Sequence, residues 1–532
     1  GPGGRKVGVE ESIVMAQPVL EAFGNAKTLR NNNSSRFGKF TKVTFDPNGK
    51  IIAASVISYL LEEGRVVSHE KGERGYNVFY QLCAQRQQKN REGKRQASSS
   101  YQTVFDPKNM RYLSCGGNTK VDGVDDYVAF QATDLALMRL GLPKTERDEI
   151  WRVLEGILFL GNVTFDEVER GAPCTIRESA KPYLSLASEG LGLGADRLGM
   201  ALRFHTMGSP TGSIISKPRG AEHAADTRDG LAKRVYGLLF AWIVQRINIA
   251  VGAPESKQTT GDVDGMEAKY LEAIRENRTT FVGILDIFGF EVFETNSFEQ
   301  LCINYANEKL QQHFVEHFFK LELEVYKKEG LDVKKVHYVD NGGVVELIEK
   351  RPFGLLPCLQ DEGSMPGGSE LGYLSKLRKA HQKSTIYHAA KGSRDMTFTI
   401  SHFASPVKYT ATNFIAKNFN KVSEDIISLL QGSSVPLLSS LFAEKKNNNK
   451  KSNTKKKKST NDNASTPKNA QDDPNPLFDD RKGNNRRNRS SGSSGSGGSP
   501  FRSRLNRSGG GSGLSRSFGR SGSGRRKKKK AV

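Results

Sequence analysis

The stretch Phe281-Val-Gly-Ile-Leu-Asp-Ile-Phe-Gly-Phe-Glu291 joins a run of apolar residues to a carboxylate, a glycine and a second carboxylate. The apolar run predicts a short buried strand over 281–285 that ends at Asp286. A carboxylate at the carboxyl end of a strand can hold a water of a bound Mg²⁺. Gly289 can bring its backbone N–H close to a terminal phosphate, because no side chain intervenes. Taken alone, the stretch also fits a core strand that ends in a turn with a capping aspartate.

A polar segment near the beginning of the chain has matching chemistry. Asn31-Asn-Asn-Ser-Ser-Arg36 places amides, two hydroxyls and one guanidinium between a predicted helix and a predicted strand. Hydroxyls ligate Mg²⁺, amides bind phosphate oxygens, and arginine offers a rigid fork to a carboxylate. An ordinary polar turn would have a similar composition. Together the two segments predict that Arg36 and Glu291 pair across a nucleotide and close the two loops on it.

Helical and strand-like patterns fill the sequence around these segments. Apolar residues at i, i+3 and i+4 predict helices over 9–30, with an end near Gly24, and over 76–85, 129–140, 147–160, 228–251 and 297–328. Further strands are predicted over 40–45, 51–60 and 396–401. Ser297, with Gln300 three residues later, has the capping-box pattern that begins a helix.

The charge of the chain is concentrated at one end. Of the net charge of +22, residues 445–532 carry +20, from 25 Lys and Arg against 5 Asp and Glu. This segment is rich in Lys, Asn, Ser, Gly and Arg and is predicted to be disordered, since it cannot bury a core. The first 444 residues are nearly neutral, and their composition excludes a collagen-like or wholly disordered chain.

The cysteines and the apolar runs narrow the class of protein further. The five cysteines are isolated in the sequence, which argues against a disulfide framework or a zinc site and indicates a reducing compartment. The longest apolar run, over 236–244, is too short to span a membrane. The sequence therefore predicts a chain without a membrane span.

Five further stretches carry long, specific motifs. They are Leu20-Glu-Ala-Phe-Gly-Asn-Ala-Lys-Thr28, Val78-Phe-Tyr-Gln-Leu82, Arg228-Asp-Gly-Leu-Ala-Lys233, the stretch 297–312 (Ser-Phe-Glu-Gln-Leu-Cys-Ile-Asn-Tyr-Ala-Asn-Glu-Lys-Leu-Gln-Gln) and His402-Phe-Ala-Ser-Pro-Val-Lys-Tyr409. With 31–39 and 285–291, and in this order, they resemble the myosin motor domain from about residue 10 to residue 442. By this resemblance, 31–39 is switch I, 285–291 is switch II and 297–328 is the relay helix.

The resemblance implies a site for ATP and Mg²⁺. Ser35 would ligate Mg²⁺, and Asp286 would hold it through water. Asn31 and Asn33 would contact phosphate or ribose-side groups.

The resemblance also implies a catalytic set. Ser34 would lie beside the γ-phosphate and help to position the attacking water, and Gly289 would donate its backbone N–H to the γ-phosphate. Arg36 and Glu291 would form a gate that closes for hydrolysis. Hydrolysis would then depend on positioning and charge stabilisation at the γ-phosphoryl group.

The implied fold class is α/β. The chain would be a fragment of a P-loop NTPase-type motor, with mixed-sheet core strands, large helical upper and lower 50-kDa-like domains and a disordered basic tail. The expected boundaries are a linker at 1–8, a partial motor domain at 9–442 and the tail at 443–532. Within the motor domain we expect the switch I region at 9–60, the upper region at 61–272, and switch II, the relay helix and the lower actin-binding region at 273–442. The relay helix carries a helically spaced apolar stripe that could equally be plain core: Phe298, Leu301, Tyr305, Phe314, Phe318 and Leu321.

F-actin is the partner that the resemblance implies, with a place in the cytoplasm on the actin cytoskeleton. A flexible basic loop would meet the acidic surface of actin, although a run of lysines can also be a merely solvated segment. The lysines expected to bind actin are Lys445, Lys446, Lys450, Lys451, Lys455, Lys456, Lys457 and Lys458.

Ser213 falls where the family carries an acidic or phosphorylatable residue, so it is a candidate regulatory phosphosite, or a plain loop serine. Light chains or calmodulin are expected only if a longer gene product carries a lever.

Two parts that the resemblance leads us to expect are not found in the 532 residues: the phosphate-binding loop, and the converter and lever that would follow the basic run. The pattern Gly-x-x-x-x-Gly-Lys-Ser/Thr of a phosphate-binding loop does not occur, and we expect it upstream in a longer product that is an Mg²⁺-dependent, actin-activated ATPase. We expect this polypeptide alone neither to hydrolyse ATP at motor rates nor to produce a stroke.

Two alternatives remain open: a relic head that binds actin without hydrolysis, and nucleic-acid binding by the basic tail. The intact Arg36 and Glu291 argue against the first, and the scarcity of aromatic residues in the tail argues against nucleic acid as a partner.

Overall fold

The computed structural model describes residues 8–91, 105–169, 172–208, 214–252, 279–331, 339–365, 367–418 and 422–443. Its α-helices, in chain order, are α1 (Val9–Gly24), α2 (Asn77–Arg91), α3 (Arg111–Ser114), α4 (Asp126–Arg139), α5 (Lys144–Gly161), α6 (Lys181–Leu191), α7 (Ala195–Arg203), α8 (Ala221–Ala250), α9 (Phe298–Phe314), α10 (Glu322–Lys328), α11 (Gly342–Glu349), α12 (Leu355–Ser364), α13 (Glu370–Ala380), α14 (Phe414–Asn418), α15 (Glu424–Gln431) and α16 (Pro436–Leu441). A π-helix (Val315–Leu321) joins α9 to α10, and short 3₁₀ turns lie at Glu63–Val66, Pro107–Asn109 and Glu178–Ala180. None of the described helices combines the length and the apolar character of a membrane span.

The strands form small antiparallel sheets. They are β1 (Asn25–Ala26), β2 (Ser34–Ser35), β3 (Gly38–Phe45), β4 (Ile51–Tyr59), β5 (Phe165–Asp166), β6 (Thr175–Ile176), β7 (Phe204–Gly208), β8 (Ile214–Pro218), β9 (Thr280–Asp286), β10 (Tyr387–Ala389), β11 (Thr397–Ser401) and β12 (Pro406–Thr410). The strand orders are β4-β3-β9, β10-β11-β12 and the pairs β1-β2, β5-β6 and β7-β8. The predicted strands at 40–45, 51–60, 281–285 and 396–401 are confirmed within one or two residues at each end.

A tight hairpin aligns β3 with β4. The carboxylate of Asp46 accepts the backbone N–H groups of Asn48 and Lys50, both at 2.9 Å, which closes the turn. Gly49 has a φ of +78°, a conformation that glycine adopts without a steric penalty. The turn therefore fixes the register of β3 against β4, and the other edge of β3 pairs with β9.

The pairing of β3 with β9 joins two segments that are far apart in the sequence. Lys39 lies opposite Asp286, so the end of β9 reaches the beginning of β3. The prediction that this strand is buried is wrong, because its apolar side chains are 41–56% exposed: Phe281, Val282, Ile284 and Leu285. Among the described residues β9 pairs only with β3, so its outer edge is open.

The first hydrophobic core is built around the long helix α8 and helix α5. The buried face of α8 includes Leu231, Tyr236 and Ile243. A Cβ built on Gly190 of α6 would lie 2.6 Å from the Cα of Gly156 in α5, so these helices cross with glycine against glycine. Helices α15 and α16 pack into the same core, which brings the described chain back to α5 and α8 after it leaves the second core.

The second core packs α9 against α11 to α14 and the β10-β11-β12 sheet. Helix α9 begins with the predicted capping box between Ser297 and Gln300. The stripe predicted along 297–328 is buried only in its first half: Leu301 is buried, whereas Phe314 and Phe318 are about half exposed. Phe314 is the last residue of α9, and the π-helix that follows it has a wider turn, which changes the spacing of the residues after it.

Candidate functional site

Backbone pairing shapes the first of the two loops. Strands β1 and β2 pair Asn25 with Ser35, which folds the segment between them into a loop. The backbone N–H of Arg36 donates to the carbonyl of Gly24 at 2.8 Å. A Cβ built on Gly24 would lie 2.2 Å from the ring of Phe37, so the buried phenyl ring requires glycine at this position. The end of helix α1 and the ring of Phe37 therefore support the loop between β1 and β2.

The predicted ion pair between Arg36 and Glu291 is confirmed. Nη1 of Arg36 lies 3.0 Å from Oε1 of Glu291, and the guanidinium is 2% exposed. The same Nη1 donates to the hydroxyl of Ser34 at 3.2 Å. Ser34, Arg36 and Glu291 thus form one hydrogen-bonded group that joins the two loops.

The sequence interpretation missed the second carboxylate of this group, Glu62. One of its oxygens accepts Nε of Arg36 at 2.7 Å and Nε of Arg65 at 2.7 Å. Arg65 in turn pairs with Glu73 at 2.8 Å. The only signal in the sequence was the spacing of Glu62 and Arg65, three residues apart after a predicted strand, which is also common on exposed surfaces.

The charges in this group reinforce one another. Burial alone would raise the pKa of the Glu62 carboxyl, but the charges of Arg65 and Arg36 and their hydrogen bonds outweigh it and lower that pKa to about 2. Burial would lower the pKa of Arg36, yet the carboxylates of Glu62 and Glu291 raise it. Glu62 and Arg36 therefore stay charged at neutral pH, and the contact between the two loops is part of an ionic cluster rather than a single pair.

Arg30 makes a second bridge between the loops that the sequence interpretation also missed. Its Nη2 donates to the carbonyl of Val292, and its guanidinium lies over the ring of Phe293 at 4.8 Å. The contact is on the exposed side of the gate, whereas the contact of Arg36 is on the buried side.

The residues expected around Mg²⁺ stand in the same two segments of the chain as Arg36 and Glu291. The hydroxyl of Ser35 donates to the carbonyl of Phe37 at 3.0 Å. The carboxylate of Asp286 is half exposed and lies 3.2 Å from Nζ of Lys39. A Cβ built on Gly289 would meet no atom within 4 Å, so the space beside its peptide is open. A hydroxyl and a carboxylate are hard oxygen donors, which fits Mg²⁺ that keeps waters and phosphate oxygens as its other ligands.

The two asparagines expected at the phosphate or ribose are engaged within the loop. The side chain of Asn31 accepts the backbone N–H of Asn33 at 2.9 Å. The side chain of Asn33 donates to Glu21 at 3.1 Å and accepts from Asn77 at 3.2 Å. They fix the shape of the loop here, and their contact with a nucleotide stays a prediction.

Two predicted sets fall outside the described residues. Ser213 is one, and the second is the basic run Lys445, Lys446, Lys450, Lys451, Lys455, Lys456, Lys457 and Lys458.

The sequence matches one family of known proteins and many of its members. Residues 4–473 match the family model of the myosin head (motor domain). The chain is 38% identical over 436 residues to a myosin-I heavy chain of Dictyostelium discoideum, covering 82% of this chain and 17% of that protein. It is 38% identical over 438 residues to myosin-1 of Arabidopsis thaliana, covering 82% of this chain and 34% of the relative. It is 36% identical over 481 residues to mouse unconventional myosin-VI, covering 83% of this chain and 36% of that protein.

The chain spans between about a sixth and about a third of the length of these relatives. The match nevertheless covers most of the chain itself and includes both loops of the gate. The chain therefore belongs to the myosin head (motor domain) family.

Proposed function

We propose that this chain carries the two switch loops of an actin-based motor, in which Mg·ATP binds between the loops and its hydrolysis is coupled to F-actin binding and force production. The observation that supports this most directly is the hydrogen-bonded cluster of Ser34, Arg36 and Glu291, which joins the two loops. The protein is a cytoskeletal motor on this proposal.

The proposed chemistry at the γ-phosphate follows from the hydrogen bonds of the cluster. The hydroxyl of Ser34 accepts from Arg36, so its own hydrogen is free to donate to a phosphate oxygen or to orient a water. The backbone N–H of Gly289 can approach the same phosphate, because no side chain stands in the way. The pair of Arg36 and Glu291 holds both loops closed and excludes bulk water, which strengthens each of these contacts. Bound Mg²⁺ would neutralise charge on the phosphate oxygens, with Ser35 and Asp286 holding it.

Nucleotide binding gives the direct test. We expect the chain to bind a fluorescent ATP analogue weakly but saturably in the presence of Mg²⁺. Replacing Ser35 with alanine should weaken that binding about tenfold, the usual cost of one lost ligand contact, and should have little effect in EDTA. Fluorescence titration measures both.

The control for this titration is Ser185→Ala, which removes an exposed hydroxyl on α6 whose hydrogen bond is to Lys181 on the same helix. It should bind like the wild type. Equal affinities of the wild type and Ser35→Ala with Mg²⁺ present would contradict the proposal. Actin binding without any Mg²⁺-dependent nucleotide binding would instead favour a relic head.

The proposed actin contact is electrostatic. The eight lysines from Lys445 to Lys458 are expected to attract the acidic surface of F-actin, so affinity in co-sedimentation should fall as salt rises. Replacing these eight lysines with glutamine should remove most of the salt dependence. Phosphate on Ser213 would add negative charge at a second proposed actin-facing position.

A second basic segment serves as the control for nonspecific electrostatic binding by the tail. Residues 525–530 form a second basic run of Arg and Lys at the end of the chain. Replacing those six residues with glutamine should leave actin affinity nearly unchanged. An equal loss in both variants would show that any basic segment suffices and would contradict a specific role of Lys445–Lys458.

A further inference from the structure

A chain of buried hydrogen bonds reaches Glu291 from the second core. The side-chain amide of Asn304 in α9 holds the peptide of Glu291 on both sides: its Oδ1 accepts the N–H of Glu291 at 2.9 Å, and its Nδ2 donates to the carbonyl at 2.8 Å. The same Nδ2 donates to the hydroxyl of Tyr409 in β12 at 2.9 Å. Asn304 and Tyr409 are fully buried.

The chain continues to a buried acid–base pair. The hydroxyl of Tyr409 lies 2.8 Å from Nε2 of His402, and Nδ1 of His402 lies 2.9 Å from Oε1 of Glu308. The side chains of His402 and Glu308 are both inaccessible to solvent. Glu308 also accepts the backbone N–H of Phe403 at 2.9 Å, so its carboxylate anchors the end of the chain.

The donors and acceptors around Asn304 fix the orientation of its side-chain amide. Because Asn304 donates to the oxygen of Tyr409, the phenolic hydrogen is free to donate to Nε2 of His402. The contact between Nδ1 of His402 and the carboxylate of Glu308 closes the far end of the chain. Reversing the Asn304 amide would place two acceptors, or two donors, face to face at Glu291. The peptide of Glu291 therefore fixes the amide orientation, and the hydroxyl of Tyr409 accepts the second hydrogen of Nδ2.

We propose that Asn304, Tyr409, His402 and Glu308 are positioning residues for the gate, and we call them the Glu291 relay. The relay holds the peptide of Glu291 so that its carboxylate meets Arg36 without rearrangement. This inference rests on the proposed role of Glu291 as a gate residue. The relay touches neither nucleotide nor reacting atoms, and it acts through the orientation of Glu291 alone.

The placement of the relay residues makes it a link between the gate and the second core. Helix α9 supplies Asn304 and Glu308, whereas Tyr409 lies on β12 and His402 lies just before it. A second tie runs alongside, since Nδ2 of Asn296 donates to the carbonyl of Lys408 at 2.9 Å. A shift of β12 relative to α9 would therefore disturb the hydrogen bonds of Asn304 that hold the peptide of Glu291.

The test is hydrogen exchange on the full chain without nucleotide, comparing Tyr409→Phe with the wild type. Phenylalanine keeps the ring and the packing but removes the hydroxyl that accepts from Asn304. We expect the backbone amide of Glu291, which donates to Asn304, to exchange about tenfold faster, because the Asn304 side chain has lost one of the hydrogen bonds that hold it in place. Amides of α11 and α13, in the same core, should exchange at the wild-type rate.

Tyr373→Phe is the matched control. Tyr373 belongs to the same core and is fully buried, and its hydroxyl has no hydrogen-bond partner in the part of the chain that the structure describes. Its loss should leave exchange at Glu291 unchanged. The proposal would be contradicted if Tyr409→Phe left exchange at Glu291 unchanged. It would also be contradicted if exchange became uniformly faster across the second core. Because no nucleotide is present, this outcome is independent of whether the chain binds or hydrolyses ATP.

Discussion

Replacing Arg36 with methionine is expected to lower the free energy of unfolding by about 3–5 kcal/mol, the typical loss when one partner of a buried charge cluster is removed. The guanidinium contacts the carboxylates of Glu62 and Glu291 and is almost wholly buried. Methionine fills a similar volume but leaves Glu62 with Arg65 alone and Glu291 without an arginine. Urea denaturation followed by tryptophan fluorescence measures the loss, since both tryptophans, Trp151 and Trp242, pack in or against the first core.

The matched control is Arg177→Met. Arg177 forms an arginine–carboxylate pair as well, at 2.7 Å with Asp166, but both side chains are about half exposed. Water and salt screen such a pair, so its removal should produce no measurable loss. If Arg36→Met unfolded at the same urea concentration as Arg177→Met, the cluster would not be a stabilising element, and the gate would have to be described as a loose surface contact.

The chemistry of the two loops made part of this cluster predictable from the sequence. Arg36 and Glu291 each stand in a segment whose polar residues suit a phosphate site, and opposite charges on two such segments favour a pair. Glu62 gave no comparable signal. Its two arginines come from one neighbour three residues away and one residue 26 positions away, and only the folded chain shows that all three share a buried space.

The strand β9 shows a different limit. Its short continuous apolar run correctly predicted a strand, but it also predicted a strand buried on both faces, and the apolar side chains are about half exposed. The run could not show what covers the strand, and in the described chain its outer edge has no partner strand. The prediction for the helix at 297–328 has a similar limit. Its spacing predicted one continuous apolar stripe, and nothing in that spacing marks the π-helix at Val315–Leu321.

The Glu291 relay was beyond sequence reasoning for a topological reason. His402 and Tyr409 stand in a motif that the sequence interpretation quoted, but their partners Glu308 and Asn304 lie 94 and 105 positions away. A buried histidine and a buried tyrosine have no periodicity that names their partners. Such networks become visible only when two elements are seen packed together.

Replacing Glu62 with glutamine is expected to lower the free energy of unfolding by about 2–4 kcal/mol at neutral pH and to remove part of the acid sensitivity of the protein. The pKa of the Glu62 carboxyl falls from its usual 4.5 to about 2 in the folded chain, because the effect of Arg65 and Arg36 exceeds that of burial. Lowering a pKa by one corresponds to about 1.4 kcal/mol in favour of the charged form. Glutamine keeps the shape and one acceptor but loses the charge that both arginines face.

The pH dependence has a definite sign. A carboxyl whose pKa is lowered on folding stabilises the folded state fully above about pH 4.5, the pKa of the unfolded chain, and this stabilisation is lost as the pH falls towards about 2. The wild type should therefore lose more stability than Glu62→Gln between these limits, and the two should converge near the lower one. Urea denaturation at a series of pH values measures the difference.

Glu349→Gln separates the cluster from a general effect of carboxylates. The pKa of Glu349 is also lowered, by hydrogen bonds from Tyr305 and Lys309, but its side chain is 40% exposed. Solvent screening should make the difference between wild type and Glu349→Gln much smaller over the same pH range. If Glu62→Gln instead ran parallel to the wild type down to acid pH, the charge of Glu62 would contribute nothing on folding, and Arg36 would be held in place by Glu291 alone.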